Sequence, residues 1–210
     1  LAHGEPGRGA FHLVAYTRVL PGLPAMISTS DAYANVVAET RHWLTQAVIG
    51  LNLCPFAKAV QVKDQIRFAV SDATDAEGVL TDLQDELALL AEADPEKIDT
   101  TLLIIPDALD DFLEFNDFED LSDRLLKRMR LVGELQVATF HPQFQFADTQ
   151  PDDIENYTNR SPYPILHLLR EDSIDRAVES FPDAAEIYEK NIDTMQRLGL
   201  EGWKRLMSKP

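Results

Sequence analysis

Thr100-Thr-Leu-Leu-Ile-Ile105, closed by Pro106, is a short unbroken apolar run. A strand wetted on one face alternates apolar and polar residues, whereas a strand buried on both faces does not need to. The run therefore predicts a central strand with helices packed above and below it. Its neighbours supply them. Upstream, Ile66, Phe68 and Val70 alternate with Arg67 and Ala69, the pattern of a half-buried strand. Between the two, Thr74 with Glu77 has the spacing of a capping box and opens a helix whose Val79, Leu83, Leu87 and Leu90 form one stripe. Downstream, Phe115, Phe118, Leu121, Leu125 and Met129 mark a second helix that Gly133 ends, and Leu135, Val137 and Thr139 alternate in a third strand that stops at His141-Pro142. Strands alternating with helices in this way imply right-handed crossovers and hence a mostly parallel sheet.

Working outward, Ser30 to Val48 has apolar residues at helical spacing, and Gly50-Leu51 resembles a Schellman stop. A fourth strand is expected at Ile165 to Leu169, followed by two closing helices, the second running from Pro182 to Leu198 with Gly199 at its end. The expected fold class is α/β: a mostly parallel four-stranded sheet covered by helices, in a single domain over residues 30–210. Residues 1–29, rich in glycine and proline, read as a disordered or non-native leader, with Met26 as a candidate start.

Of the 210 residues, 45% are hydrophobic, enough for a proper core. Thirty-six acidic residues against nineteen basic ones give a formal charge of −17, which opposes attraction to nucleic acid or an anionic membrane. The acidic run from Asp107 to Asp123 followed by Arg124, Lys127, Arg128 and Arg130 suits a helix macrodipole and reads as a solvated helix face rather than a metal site. A single cysteine excludes an internal disulfide, and the absence of an apolar run of about 18 residues argues against a membrane span, so a cytoplasmic location is expected.

Three irregular polar segments interrupt this pattern: the loop at Cys54, the run His141 to Asp148, and Asn159 to Pro164. Cys54 stands between Gly50 and Pro55. If a helix begins at Pro55, Cys54 caps it, and the field of the first turn favours the thiolate. His141 stands at the carboxyl end of an expected parallel strand, where ligands of open α/β sheets bind. Arg160, set among Asn159, Ser161 and two prolines, supplies a fixed positive charge suited to a carboxylate or phosphate. His167 alternates with Ile165 and Leu169 and is expected at the core edge with a hydrogen-bond partner. Cys54, His141 and His167 have ligand chemistry that suits zinc, but no short ligand spacing joins them, and no metal site is assigned.

The segments Gly-Leu-Asn-Leu-Cys-Pro-Phe-Ala at 50–57, Phe-His-Pro-Gln-Phe-Gln-Phe-Ala-Asp at 140–148 and Asn-Arg-Ser-Pro-Tyr-Pro-Ile-Leu-His-Leu-Leu-Arg-Glu at 159–171 resemble the bacterial proteins classed as domain of unknown function 1415. The resemblance spans about Tyr33 to Leu198 and implies no activity.

From the residues themselves, the expected function is thiol-dependent chemistry on a small anionic substrate. Cys54 would be the nucleophile and His141 the base or acid. Asn159, Arg160, Ser161, Tyr163 and Arg170 would bind the ligand. The alternative is a non-catalytic module that binds a protein or a metabolite. No cofactor is called for, and the oligomeric state is not legible in the composition.

Overall fold

A computed structural model describes residues 31–179 and 186–208; the expected leader, Pro182 and the chain's last two residues lie outside the described residues. In chain order the elements are helix α1 (Asp31–Trp43) continuing as a π-helical segment (Leu44–Ile49), α2 (Ala57–Val62), β1 (Ile66–Val70), α3 (Ala76–Glu92), β2 (Thr100–Ile104), α4 (Phe112–Met129), β3 (Leu135–Phe140), a 3-10 segment (Ile154–Thr158), β4 (Ile165–Arg170), α5 (Glu171–Glu179) and α6 (Ile187–Met207).

The sheet has four strands in the order β1-β2-β4-β3. β1 and β2 are parallel, whereas β4 lies antiparallel between β2 and β3. The sheet is therefore mixed, which corrects the expectation of a mostly parallel one. The reason lies in the connections. Helices α3 and α4 carry the chain back along the sheet after β1 and β2, so β1, β2 and β3 run the same way. The segment from His141 to Pro164 holds only one short 3-10 segment. With no helix to return the chain, β4 starts at the edge where β3 ends and must run antiparallel.

Helix ends follow local chemistry. Asp75, one residue after the threonine of the expected capping box, accepts a bond from the Gly78 N–H and caps α3. Asp111 caps α4 by accepting from Leu113 and Glu114, and the acidic start and basic end of α4 suit its dipole. Arg130 takes the left-handed conformation that stops α4, with Gly133, at φ 86°, in the turn beyond. Gly50 is no Schellman glycine: its φ is −63°, and the left-handed residue of that turn is Asn52. Glycine is required at 50 for space, because a Cβ there would meet the Gln46 carbonyl oxygen at 2.2 Å. Gly199, at φ 63°, kinks α6 rather than ending it.

The two sheet faces are covered differently. On one, Leu83, Leu87 and Leu90 of α3 and Phe115, Phe118 and Leu125 of α4 pack onto Ala69, Leu103, Leu166 and Leu168. On the other, Val36 and Trp43 of α1 and Leu44, Ala47 and Val48 of the π-helical segment pack onto Leu102, Ile104 and Ile165. This second cluster sits toward the carboxyl ends of β1 and β2, and the rest of that face is roofed loosely.

Candidate functional site

The segment after β3 is held together by its own polar groups. Asn156, fully buried, accepts from the Phe146 N–H and the Thr149 hydroxyl and donates to the Gln150 carbonyl. Arg160 donates to the Phe144 and Pro151 carbonyls at 3.2 and 2.7 Å, and its guanidinium lies 4.2 Å from the centre of the Tyr157 ring. Its own carbonyl accepts from the Trp43 indole. The His141 N–H donates to the Asn159 carbonyl. Two of the three polar segments thus meet at the sheet edge where β3 ends, but the Arg160 guanidinium is committed to carbonyl oxygens.

The other expected site residues are engaged in the same way. Ser161 donates to the Tyr163 carbonyl, and the Asn159 side-chain oxygen accepts from Thr158. Tyr163 donates its hydroxyl to Glu39 at 2.7 Å; burial and that carboxylate push its pKa up to about 12. Arg170 lies under the α3/α4 face, where its guanidinium gathers the carbonyls of Leu90, Ala93 and Ile98 at the end of α3, a negative helix terminus that suits a cation.

His141 is fully buried. Nε2 bonds the Leu109 carbonyl at 3.1 Å, and Nδ1 accepts from the Gln143 N–H at 3.0 Å, so the neutral ring is satisfied at both nitrogens. Its ring centre lies 5.0 Å from Phe115 and 5.4 Å from Phe112. Burial lowers its pKa, partly offset by the Leu109 bond. Cys54 packs instead against the Trp43–Leu44 cluster on the other face. The structure does not bring Cys54 and His141 together. Nor does Cys54 cap a helix: α2 starts at Ala57, two residues after Pro55, and Phe56 occupies the cap position. Among the described residues no cluster of histidine, cysteine and carboxylate side chains could hold a metal ion.

Cys54 does line a cavity, of about 1000 Å³, and His167 lines it too. The floor is the loosely roofed part of the sheet: Thr100 and Leu102 of β2, His167 and Leu169 of β4, Ala138 and Phe140 of β3. The roof is the π-helical segment, the Cys54 loop with α2, and the inner side of α5 through Ile174 and Ala177. Trp43 closes one wall with its ring edge-on to Phe140, centres 5.2 Å apart. The α5 part of this roof is not tightly packed: α5 follows β4 without a loop and buries no side chain fully.

His167 is the polar centre of this floor. Thr100 Oγ1 lies 2.7 Å from His167 Nε2 and 2.6 Å from the Leu168 carbonyl oxygen. A hydroxyl has one proton. Given to the carbonyl, it leaves the oxygen to accept from Nε2–H, which fixes the tautomer and leaves Nδ1 as a bare acceptor. Nδ1 has no partner among the described residues, and it is not sealed from solvent. The ring is ringed by protein and half-buried through the cavity; burial alone pushes its pKa down to about 4, so it is neutral near pH 7.

The alternation of His167 with Ile165 and Leu169 predicts a strand face and a hydrogen-bond partner, and the structure shows both. The cavity above that face is not legible in the alternation, and the His141 ring is taken up by neighbouring backbone.

No helix among the described residues is long and apolar enough to cross a membrane. No curated protein and no solved structure matches the chain. The model of the family described as "Protein of unknown function (DUF1415)" matches residues 35–205, most of the chain, and the chain belongs to that family.

Proposed function

We propose that the protein is a small-molecule-binding module whose ligand occupies the cavity over Thr100, Ala138 and His167. The ligand is largely apolar and carries one hydrogen-bond donor, a hydroxyl or amide, that faces His167 Nδ1. The observation that carries this reading is the pairing of a cavity of about 1000 Å³ with an acceptor nitrogen that has no partner among the described residues. Binding sites combine concave apolar walls with a few oriented polar groups. A neutral imidazole lone pair selects a donor and disfavours a bare carboxylate. That argues against the small anion expected from the sequence, as does the commitment of Arg160 to carbonyl groups.

The test uses 2-naphthol and its hydroxyl-free counterpart 2-methylnaphthalene. The naphthol is expected to bind about fivefold to tenfold more tightly, the value of one net hydrogen bond of about 1 kcal/mol. His167→Phe should abolish the preference, and Ala138→Trp should block both molecules by filling the floor. Absence of binding up to the solubility limit, or binding indifferent to Ala138→Trp, would overturn the reading.

Thiol chemistry is a second reading, favoured by one observation: Cys54 and His167 line the same cavity. It requires that iodoacetamide label Cys54 in the native protein, that 2-naphthol protect it, and that His167→Phe slow the labelling. Labelling only after denaturation would remove thiol chemistry and leave the binding reading in place.

A further inference from the structure

Among the described residues the outer edge of β3 is open. β3 ends the sheet, and the Glu171 N–H bond to the Glu134 carbonyl sets the phase of its ladder with β4. Alternate residues then point outward, so Val137 and Thr139 turn their N–H and C=O groups away from β4. Among the described residues none of these four groups has a partner across the edge. Proteins normally protect such an edge with lysine, proline, a bulge or a covering element. Leu135-Gln-Val-Ala-Thr-Phe140 contains neither charge nor proline. The opposite edge strand, β1, carries Arg67, ion-paired with Glu86 at 2.7 Å.

A cavity of about 320 Å³ lies against the open edge. Ala138 and Thr139 both line it, although they belong to opposite faces of the strand, so it straddles the edge rather than sitting on either face. Phe112 and Phe144, with ring centres 5.5 Å apart, give it an aromatic wall, and Glu119 of α4 lines it as well. Glu119 stands with Asp120 and Asp123 on exposed α4 surface, and partial desolvation beside the cavity together with those two like charges raises its pKa. The cavity thus joins unpaired strand backbone, an aromatic pocket and uncompensated negative charge.

We infer that the β3 edge is a docking surface for an extended basic segment of a partner protein, which adds to the sheet as a fifth strand. Up to four backbone bonds form with Val137 and Thr139, an apolar side chain enters beside Phe112 and Phe144, and a lysine or arginine meets Glu119. Charge decides between the possible occupants. A second copy of this chain would bring another acidic α4 beside the first, and each chain carries −17, whereas a basic strand gains from the same field.

The experiment is selection of random ten-residue peptides displayed on phage against the intact protein, followed by hydrogen exchange with the synthetic peptides recovered. Enriched peptides are expected to carry lysine or arginine alternating with aromatic or branched residues, and to slow exchange at the Val137 and Thr139 amides. Thr139→Pro removes an outward N–H and should weaken them at least tenfold. Glu119→Lys, at an exposed position, should weaken them severalfold without changing thermal stability. No enrichment, acidic consensus peptides, indifference to both substitutions, or a dimer of this chain formed through β3 would each overturn the proposal. None of these outcomes depends on 2-naphthol binding, so this surface and the His167 cavity stand or fall separately.

Discussion

Thr100 and Thr101 are chain neighbours on one strand, yet they face two environments. Thr101 points into the α3/α4 face, is fully buried, and its hydroxyl oxygen finds no hydrogen-bond partner. Thr100 points into the cavity face, where its hydroxyl bonds both the Leu168 carbonyl and the His167 ring. The contrast extends across the sheet. The α3/α4 face is a filled apolar layer whose long polar groups, Arg67 with Glu86 and Arg170 with three carbonyls, are paired at its margins. The other face is filled only at one end and leaves a polar, supported histidine under a wide cavity. One face is filled throughout, and the other keeps open surface beside its own core cluster.

Core truncation tests that contrast with the largest effect. Phe115→Ala, on the filled face, should cost ~3–5 kcal/mol in urea unfolding. Leu169→Ala, on the cavity floor, should cost less than about 1 kcal/mol because the site is already open. Equal losses would mean that both faces are equally packed.

Acid titration gives the next largest effect. The pKa of His167 is lowered by burial to about 4, and that of His141 is lowered too. The unfolded chain then binds more protons than the folded one between about pH 6.5 and 4. Stability is therefore full above about pH 6.5 and falls as the pH drops through this window, by on the order of 3 kcal/mol for His167. His167→Phe should flatten part of that slope in denaturation measured at successive pH values. An unchanged slope would show that the ring is well solvated.

The threonines give the smallest effect and the sharpest sign. Thr101→Val removes an unsatisfied buried hydroxyl and should stabilise by about 1 kcal/mol, whereas Thr100→Val unties His167 and should destabilise by about 1 kcal/mol. The same sign for both would erase the distinction between the faces.

Much of this architecture was legible in the sequence because it rests on local pattern. The alternation at Ile66 to Val70 and Leu135 to Thr139, the unbroken run at Thr100, and the stripes of α3 and α4 all mark elements found in the structure. Strand direction was less legible, since it depended on recognising that 141–164 lacks a crossover helix. The site was hardest. His141, Arg160 and Arg170 have the residue types of an active centre, but they are consumed by backbone carbonyls and amides that loops and helix ends leave over. That demand is set by tertiary placement and has no local signature. Cys54 and His167, far apart in the chain, line one cavity, and nothing local to either residue announces it.

The imidazole nitrogen shifts of His167, recorded with and without saturating 2-naphthol, test the central claim most directly. The account predicts Nε2–H in the free protein, an unbonded Nδ1, and a marked upfield shift of Nδ1 alone when the naphthol hydroxyl donates to it. A ring protonated at Nδ1, or shifts that do not respond to naphthol bound elsewhere on the molecule, would contradict it.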